Sequence, residues 1–469
     1  MIFTNSSEDQ TLKMKSIVSF SNKRNPKEAS KEVIEDIRKR LNFEPDLALF
    51  YATQKYNGNY QEILDRFGEE FGDLPQVGAS IDGMIYEEDI RTDGMALVLC
   101  HDPEARINVK GASVKGALKT ADKLADKMSC KEGAIILHFP IVHVPGFRDG
   151  FEFYARGAYY SQRCKGKEVE AQKEYADKFS RYCDKNNIFY PAPTILNKFA
   201  VKTNYEIPII GINVLHTQMK VDSPNIFCNF KDIQGGIAAL TIEKEDINII
   251  YDDIFSNKGT NIEETRNIVG NEFKVLKEFD AVFEKNVLIS LDGKPPVEAV
   301  ESFVHISKNG EGEIVEKFEK GSFEVWSPYF LIFFDDRSNR IFHVGIRAFY
   351  PFELFPFFVD ISSFSEKVWL ARLRAFTKLS DFISPLYTLE ERERFKLFTI
   401  DVGSISAFGE RTYRLKKEIN NLAKENYFGI LTAPISAYLP PKYQRRAYMS
   451  EIEESTFFSS AGTSSCIEI

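Results

Sequence analysis

A serine and an aspartate stand between glycines in the segment Val77–Gly83, the strongest candidate for ligand chemistry in the sequence. Gly78, Ser80, Asp82 and Gly83 supply its polar and flexible positions, and the pattern predicts a strand running into a tight loop. Glycines allow backbone N–H groups to approach a ligand, and such groups favour an anion. Asp82 would form an ion pair with an ammonium group of the ligand. The alternative is that Ser80 and Asp82 only cap the turn.

A second strand end and two arginines are predicted to complete this site. Gly211 and Asn213 follow the apolar run 207–210, which predicts another strand entering a glycine turn. Arg347 and Arg411 lie in the C-terminal half, and a planar guanidinium binds a carboxylate through two hydrogen bonds. We therefore predict one ligand site in a hollow between the two halves of the molecule.

Two further motifs are weaker candidates. The segment Gly111–Ala117 has the glycine spacing of a phosphate-binding loop, but Ala117 replaces the lysine that such a loop needs. Cys100, His101 and Asp102 are consecutive, and neighbours in a strand point to opposite faces, so they cannot line up as a catalytic triad. Neither a nucleotide site nor a hydrolytic triad is predicted.

The histidines do not predict a metal site. His138 and His143 flank a proline, which would break any helix that held both as ligands. The glutamate of a zinc-binding HExxH helix is also missing. We predict neither a metal nor another cofactor.

Composition narrows the class of protein. Hydrophobic residues make up 43% and charged residues 28% of 469 residues, which predicts a globular chain of two domains. The net charge of −9 argues against nucleic-acid binding. The six cysteines are scattered singly, which favours reduced thiols. No signal peptide or long apolar segment is visible, so we expect a cytoplasmic protein without membrane insertion.

Hydrophobic periodicity predicts a mixed α/β or α+β fold, with largely antiparallel sheets packed against helices. The predicted helices are 26–41, 60–71, 114–128, 168–184, 368–383 and 410–423. The predicted strands are 47–51, 76–83, 95–99, 134–139, 207–211, 237–242, 286–291, 329–334, 342–349 and 357–361. No internal repeat is evident, although an apolar strand followed by glycine recurs.

Several of these stretches, taken in order, resemble the FIST family, whose name stands for F-box and intracellular signal transduction proteins. Val77–Gly83 is similar to its "vGcSs.Gei" segment and 207–211 to its "iPivGg" segment. Segments 291–295 and 344–347 resemble its "idg.pa" and "vR.i" segments. The chain departs from the family at Ala79, where relatives have cysteine, and at Ala433-Pro434, where they have Gly-Glu.

The resemblance implies an N-terminal tail at 1–15, a FIST N-type domain at 16–245, a FIST C-type domain at 246–453 and a flexible tail at 454–469. It also implies a sensory module that binds a small molecule, such as an amino acid or another small carboxylate, and signals through a separate protein partner. Two alternatives stay open. One is an enzyme that uses Ser80 or Asp82, and the other is a scaffold with a Phe-rich docking surface.

Overall fold

The computed structural model describes residues 14–87, 89–144, 146–215, 224–245, 247–253, 261–304, 329–335, 340–345, 352–373, 395–401, 427–432, 435–440 and 463–468. These residues form an α+β fold in which mixed and antiparallel sheets pack against helices, so the predicted fold class is confirmed. The ring of the fold is built from three copies of one strand-and-helix pattern, which we call the first, second and third repeats.

The first repeat spans residues 15–101. Its elements are β1 (Lys15–Ser21), α1 (Pro26–Arg40), β2 (Leu47–Thr53), α2 (Tyr60–Phe71), β3 (Gln76–Ile81), β4 (Gly83–Tyr86), β5 (Asp89–Arg91) and β6 (Met95–His101). Helix α1 begins at proline behind the cap Asn25, as the sequence predicts, because a proline in the first turn sacrifices no helical hydrogen bond.

The second repeat spans residues 106–243 and carries two additional helices, α4 and α5. Its elements are β7 (Arg106–Ala112), α3 (Ala117–Ala125), β8 (Ala134–Pro140), α4 (Phe147–Cys164), α5 (Val169–Asn186), α6 (Ala192–Lys202), β9 (Ile209–Val214), β10 (Ile226–Cys228), β11 (Lys231–Asp232) and β12 (Ile237–Glu243). Helices α4 and α5 are inserted between β8 and α6.

The third repeat spans residues 248–468 and carries the largest insertion. Its elements are β13 (Asn248–Asp253), α7 (Ile262–Glu272), β14 (Phe273–Glu284), β15 (Val287–Leu291), α8 (Pro296–Glu301), β16 (Tyr329–Asp335), β17 (Arg340–Gly345), β18 (Phe355–Pro356), β19 (Lys367–Leu373), β20 (Lys396–Asp401), β21 (Tyr427–Thr432), β22 (Ile435–Tyr438) and β23 (Thr463–Glu468). Strands β14 to β19 form a separate antiparallel sheet in the order β17-β16-β19-β14-β15-β18.

The three sheets of the ring share one pairing pattern. Their orders are β1-β6-β2-β3-β10, β7-β12-β8-β9-β22 and β13-β23-β20-β21-β4, with β11 and β5 extending the first and third. In each sheet the central pair, β2–β3, β8–β9 or β20–β21, is parallel. The other pairs are antiparallel. The same order with the same directions shows an internal threefold repeat.

Strand exchange closes the three repeats into a ring. The strand after β3 is β4, which pairs with β21 of the third repeat. In the same way β10 of the second repeat pairs with β3, and β22 of the third repeat pairs with β9. Each sheet therefore receives one strand from the repeat that follows it around the ring, and no repeat supplies a whole sheet by itself.

A shared core fills the ring. Leu49, Ile136 and Leu397 occupy the same register position in the three repeats, and all three are buried in one hydrophobic cluster. Helices cover the other faces of the sheets: α1 and α2 in the first repeat, and α3 and α6 in the second. A sheet buried on both faces needs apolar side chains throughout, which explains the continuous apolar runs at 47–51 and 134–139.

The two insertions pack on each other. Phe153 of α4 and Phe179 of α5 share a cluster with Ile289 of β15 and with Phe352. The rings of Phe179 and Phe352 meet edge to face with centroids 5.6 Å apart, a favoured aromatic geometry. The helices inserted in the second repeat therefore connect the ring to the sheet inserted in the third.

Some predictions from the sequence are wrong. Residues 368–373, predicted as the start of the helix 368–383, belong to β19. Strands β14 and β16 pair with β19 on its two sides, and this tertiary context overrides propensity. Helix α4 lies between the predicted strand 134–139 and the predicted helix 168–184, where the sequence predicted neither a helix nor a strand. The predicted flexible tail contains β23, whose Cys466 is fully buried. The predicted helix 410–423 lies outside the described residues.

The predicted domain boundary after residue 245 stays a prediction. It falls between the second and third repeats, and the pairs β4–β21 and β9–β22 cross it. In the described part of the chain, none of the helices combines the length and the apolar composition that crossing a bilayer requires. The six cysteines are unpaired and buried, as the sequence predicts.

Candidate functional site

The residues predicted around Ser80 lie in and beside strand β3. Gly78 and Ser80 are inside the strand, Asp82 follows it, and Gly83 begins β4. Ser80 is fully buried, and its Oγ accepts a hydrogen bond of 2.8 Å from the backbone N–H of Asn225. The serine hydroxyl is therefore used to join β3 to the strand that arrives from the second repeat.

Gly211 and Asn213 hold the equivalent positions in the second repeat. Both lie inside β9 and not in a turn, which corrects the predicted glycine turn. The Nδ2 of Asn213 donates to Ser436 Oγ at 2.9 Å, just as Ser80 contacts its own incoming strand. Arg347 and Arg411 lie outside the described residues, so the predicted meeting of these groups stays a prediction.

A cavity of about 410 Å³ opens at another place in the second repeat, between the ring and the inserted helices. It lies where β7 passes into α3, where β8 ends, and where α4 begins and α5 ends. Its lining is mostly polar and comprises Ser113, Val114, Lys115, Gly116, His143, Val144, Asp149, Glu152, Tyr182, Asn186, Asn187, Ile188, Tyr190, Gln234 and Gly235. The predicted site residues are not among them.

The second repeat differs from the first beside this cavity. In the first repeat the ammonium of Lys55 pairs with Asp93 at 2.7 Å, and the Tyr56 hydroxyl donates to the Lys23 carbonyl. The strand registers place Val142 and Gly235 of the second repeat at the positions of Lys55 and Asp93. Because both replacements are small and uncharged, the second repeat lacks the ion pair that occupies this place in the first.

The cavity lining carries charges of both signs. Lys115, at the start of α3, and Asp149, in the first turn of α4, have no ion-pair partner among the described residues. Glu152 lies 3.7 Å from Arg156, and the Arg156 guanidinium stacks over the Tyr182 ring at 5.8 Å. The lining thus contains a lysine from the loop before α3 and carboxylates from α4, and Arg156 covers the Tyr182 ring beside those carboxylates.

His143 supplies a neutral hydrogen-bonding group in the lining. Burial lowers its pKa, and the nearby Asp149 carboxylate opposes this shift. Its Nδ1 is buried and has no hydrogen-bond partner among the described residues. The Tyr190 ring meets it edge to face, and the Tyr190 hydroxyl donates to the Gly235 carbonyl at 2.6 Å. A buried polar atom without a partner is costly, and a ligand that reached Nδ1 would remove that cost.

His138 has a different environment from His143. It is fully buried in the core of the ring, where its Nε2 lies 2.8 Å from the Tyr51 hydroxyl. Tyr51 and His138 occupy equivalent positions in the first two repeats. Desolvation lowers the pKa of His138 to about 3, so the ring stays neutral. The described residues contain no group of histidine, cysteine and acidic side chains arranged to bind a metal.

Two comparisons with known proteins show which parts of this chain have similar sequences elsewhere. Residues 263–372 match the family model described as the AF0772-like protein C-terminal domain, and this range covers most of α7 and the sheet β14–β19. An uncharacterized protein of Archaeoglobus fulgidus is 23% identical over 266 residues, which cover 56% of this chain and 70% of that protein. The chain is therefore similar to these proteins, and the family match falls on the third repeat.

Sequence reasoning missed the cavity although some of its signals were visible. The segment Gly111–Ala117 stood out as a phosphate-loop pattern, and in the structure it forms the strand, loop and helix start that line the cavity. Alignment of the first repeat with the second would have shown the loss of the Lys55–Asp93 pair. The contribution of α4 was missed, because no helix was predicted for its segment.

Proposed function

We propose that the protein is a sensory module that binds a small molecule, an amino acid or another small carboxylate, in the cavity of the second repeat. The observation that carries the proposal is a polar cavity of about 410 Å³ whose lining includes Lys115 as well as the carboxylates of Asp149 and Glu152. This volume is in the range of small-molecule sites. The proposal agrees with the resemblance to FIST sensory domains.

The charges favour a ligand with both an anionic and a cationic group. Lys115 and the start of α3 suit a carboxylate, because a helix amino terminus carries partial positive charge. The Asp149 carboxylate suits an ammonium group, because opposite charges pair through charge-assisted hydrogen bonds. An α-amino acid presents both groups on one small frame, and the neutral His143 adds a hydrogen-bonding partner.

The packing of the inserted helices supports a route for the signal. Helix α4 provides Asp149 and Glu152 to the cavity, and α5 provides Tyr182. Phe153 and Phe179, each about one helical turn from Asp149 and Tyr182 respectively, pack these helices on the sheet β14–β19. A ligand that contacts α4 and α5 therefore acts on helices that are attached to the second insertion, which is the candidate surface for a protein partner.

The test is calorimetric titration of the full chain with amino acids, with the same acids lacking the amine, and with the matching amines. We expect at least one amino acid to bind, and Lys115→Gln and Asp149→Asn each to weaken binding by about tenfold, the effect of one charge-assisted hydrogen bond. Glu174→Gln is the matched control, because Glu174 is exposed on α5 and, within the described part of the chain, its ion pair is with Lys178.

Ser80→Ala separates the cavity from the site predicted around β3. If the ligand binds in the cavity, this variant keeps its affinity for the ligand even if its stability falls. A loss of affinity in Ser80→Ala together with wild-type affinity in Lys115→Gln and Asp149→Asn would move the ligand site to the β3 segment. Absence of binding across the whole set of compounds would refute the proposed function.

A further inference from the structure

We propose that the exposed side of helix α4 is a dimer interface, in which two copies of this chain pack α4 against α4 in antiparallel orientation. This side, which we call the α4 stripe, consists of Phe147, Phe151, Ala155 and Tyr159, all of them exposed. The contact requires no ligand in the cavity, so the dimer is independent of the proposed function.

The α4 stripe presents aromatic side chains to solvent. Phe147 and Phe151 are 79% and 68% exposed, more than any other large hydrophobic residue in the described part of the chain. Tyr159, over which the Arg163 guanidinium stacks at 5.3 Å, is 48% exposed. Single exposed apolar residues are ordinary, but residues four apart lie on one side of a helix. Because Phe153 already packs the other side of α4 within the chain, the helix is apolar on two sides.

The spacing of the α4 stripe suits contact with a second α4. Residues at every fourth position form a ridge, and two such ridges interlock in the commonest class of helix packing. A twofold axis between Phe151 and Ala155 places Phe147 opposite Tyr159 of the second copy, a favoured aromatic pair. It also places Phe151 opposite the small Ala155 of the second copy, which leaves room for the ring. The stripe is thus complementary to itself, as a twofold interface requires.

The charges along α4 favour the antiparallel orientation. Its first half, 147–155, contains two carboxylates and one arginine, whereas its second half, 156–164, contains two arginines and no carboxylate. In an antiparallel pair, the acidic half of each copy lies beside the basic half of the other. A parallel pair would place Arg163 beside Arg163, and a flat anionic lipid surface would attract only the second half. The charge pattern therefore favours a second copy of this chain as the partner.

The aromatic surface of the α4 stripe is large enough to anchor a dimer. An aromatic side chain buries about 150–250 Å², so the exposed parts of the three rings amount to roughly 400 Å² in each copy. A specific interface buries roughly 1,200–2,000 Å² in total, so these rings alone would supply about half of it. Aromatic residues are also enriched at the centres of interfaces.

Sedimentation velocity of the full chain across a wide range of concentrations tests the interface. We expect wild type to pass from monomer to dimer, and Phe151→Ala to raise the dissociation constant by about thirtyfold or more. Phe303→Ala is the matched control and should dimerise as wild type does. Phe303 is also an exposed phenylalanine, but it follows α8, which packs on the other face of the sheet β14–β19 from α4 and α5. Circular dichroism checks that both variants keep their helices.

Cysteine cross-linking tests the orientation. The native cysteines are all buried, so a thiol introduced on α4 is the accessible one. In the proposed dimer, the two copies of residue 155 are offset by about 6 Å along the helix axis and those of residue 162 by about 27 Å. A short bismaleimide should therefore link Ala155→Cys chains into covalent dimers and leave Gln162→Cys chains unlinked.

A chain that stays monomeric at every concentration would overturn the interface, as would equal dimer affinity in Phe151→Ala and wild type. Equal cross-linking of Ala155→Cys and Gln162→Cys would overturn the antiparallel orientation. If wild type is monomeric and binds phosphatidylglycerol vesicles, whereas Phe151→Ala does not bind them, the α4 stripe contacts lipid and the dimer is wrong.

Discussion

Replacement of Gly78 by alanine should be among the most damaging single-methyl changes in this protein. A Cβ at Gly78 would lie 1.7 Å from the backbone carbonyl oxygen of Phe50 on the neighbouring strand. A close carbon–oxygen contact between strands keeps roughly 3.3 Å, so β2 and β3 would have to separate by about 1.6 Å. A backbone oxygen cannot rotate away as a side chain can, and the parallel pair at the centre of the sheet would be disrupted.

Two glycines provide graded controls for this prediction. At Gly211, which is equivalent to Gly78 in the second repeat, the nearest atoms are ends of side chains, led by Ser436 Oγ at 2.9 Å. Gly270 lies in helix α7 with nothing within 4 Å of its added Cβ. We expect Gly78→Ala to cost about 4 kcal/mol or more, Gly211→Ala about 1–3 kcal/mol, and Gly270→Ala to stabilise by up to about 1 kcal/mol.

Urea unfolding followed by circular dichroism measures all three variants under the same conditions. The expected order of unfolding midpoints is Gly270→Ala, wild type, Gly211→Ala and Gly78→Ala, from highest to lowest. A Gly78→Ala midpoint equal to that of wild type, or above that of Gly211→Ala, would refute the argument that a rigid backbone contact at this position requires glycine.

Two further predictions concern buried polar groups. The side chains of Lys244 and Asp102, which are 9% and 2% exposed, form an ion pair of 2.6 Å between the connections that follow β12 and β6. Lys244→Met should lower the free energy of unfolding by about 3–5 kcal/mol, because it leaves a buried carboxylate unpaired. An unchanged urea midpoint would contradict this prediction. Burial holds the pKa of His138 at about 3, below the unfolded value of about 6.5. Because the unfolded chain binds the proton at a higher pH than the folded chain, the free energy of unfolding should fall as the pH drops below about 6.5. Between pH 6 and 4, wild type should lose about 1.4 kcal/mol of unfolding free energy per pH unit more than His138→Leu. Equal slopes against pH for the two proteins in urea titrations would disprove this account.

The sequence alone determined most of the local elements in the N-terminal half. The apolar stripe and cap of α1 and the apolar runs of β2 and β8 each carry their own signal, because helix and strand periodicity are local properties. The same local reasoning was wrong at 368–373, where the spacing of apolar residues fits a helix as well as a buried strand and only the neighbouring strands β14 and β16 decided between them.

Only the tertiary structure decided how those elements are assembled and where a ligand fits. The threefold ring depends on strand exchange between segments as distant as β4 and β21, and pairing over such separations leaves no periodic trace in one sequence. The sequence shows glycine at positions 78 and 211, but only the structure shows that neighbouring atoms leave little or no room for a Cβ there. The replacement of Asp93 of the first repeat by Gly235, which lines the cavity of the second, likewise becomes visible only when the strand registers align the two repeats.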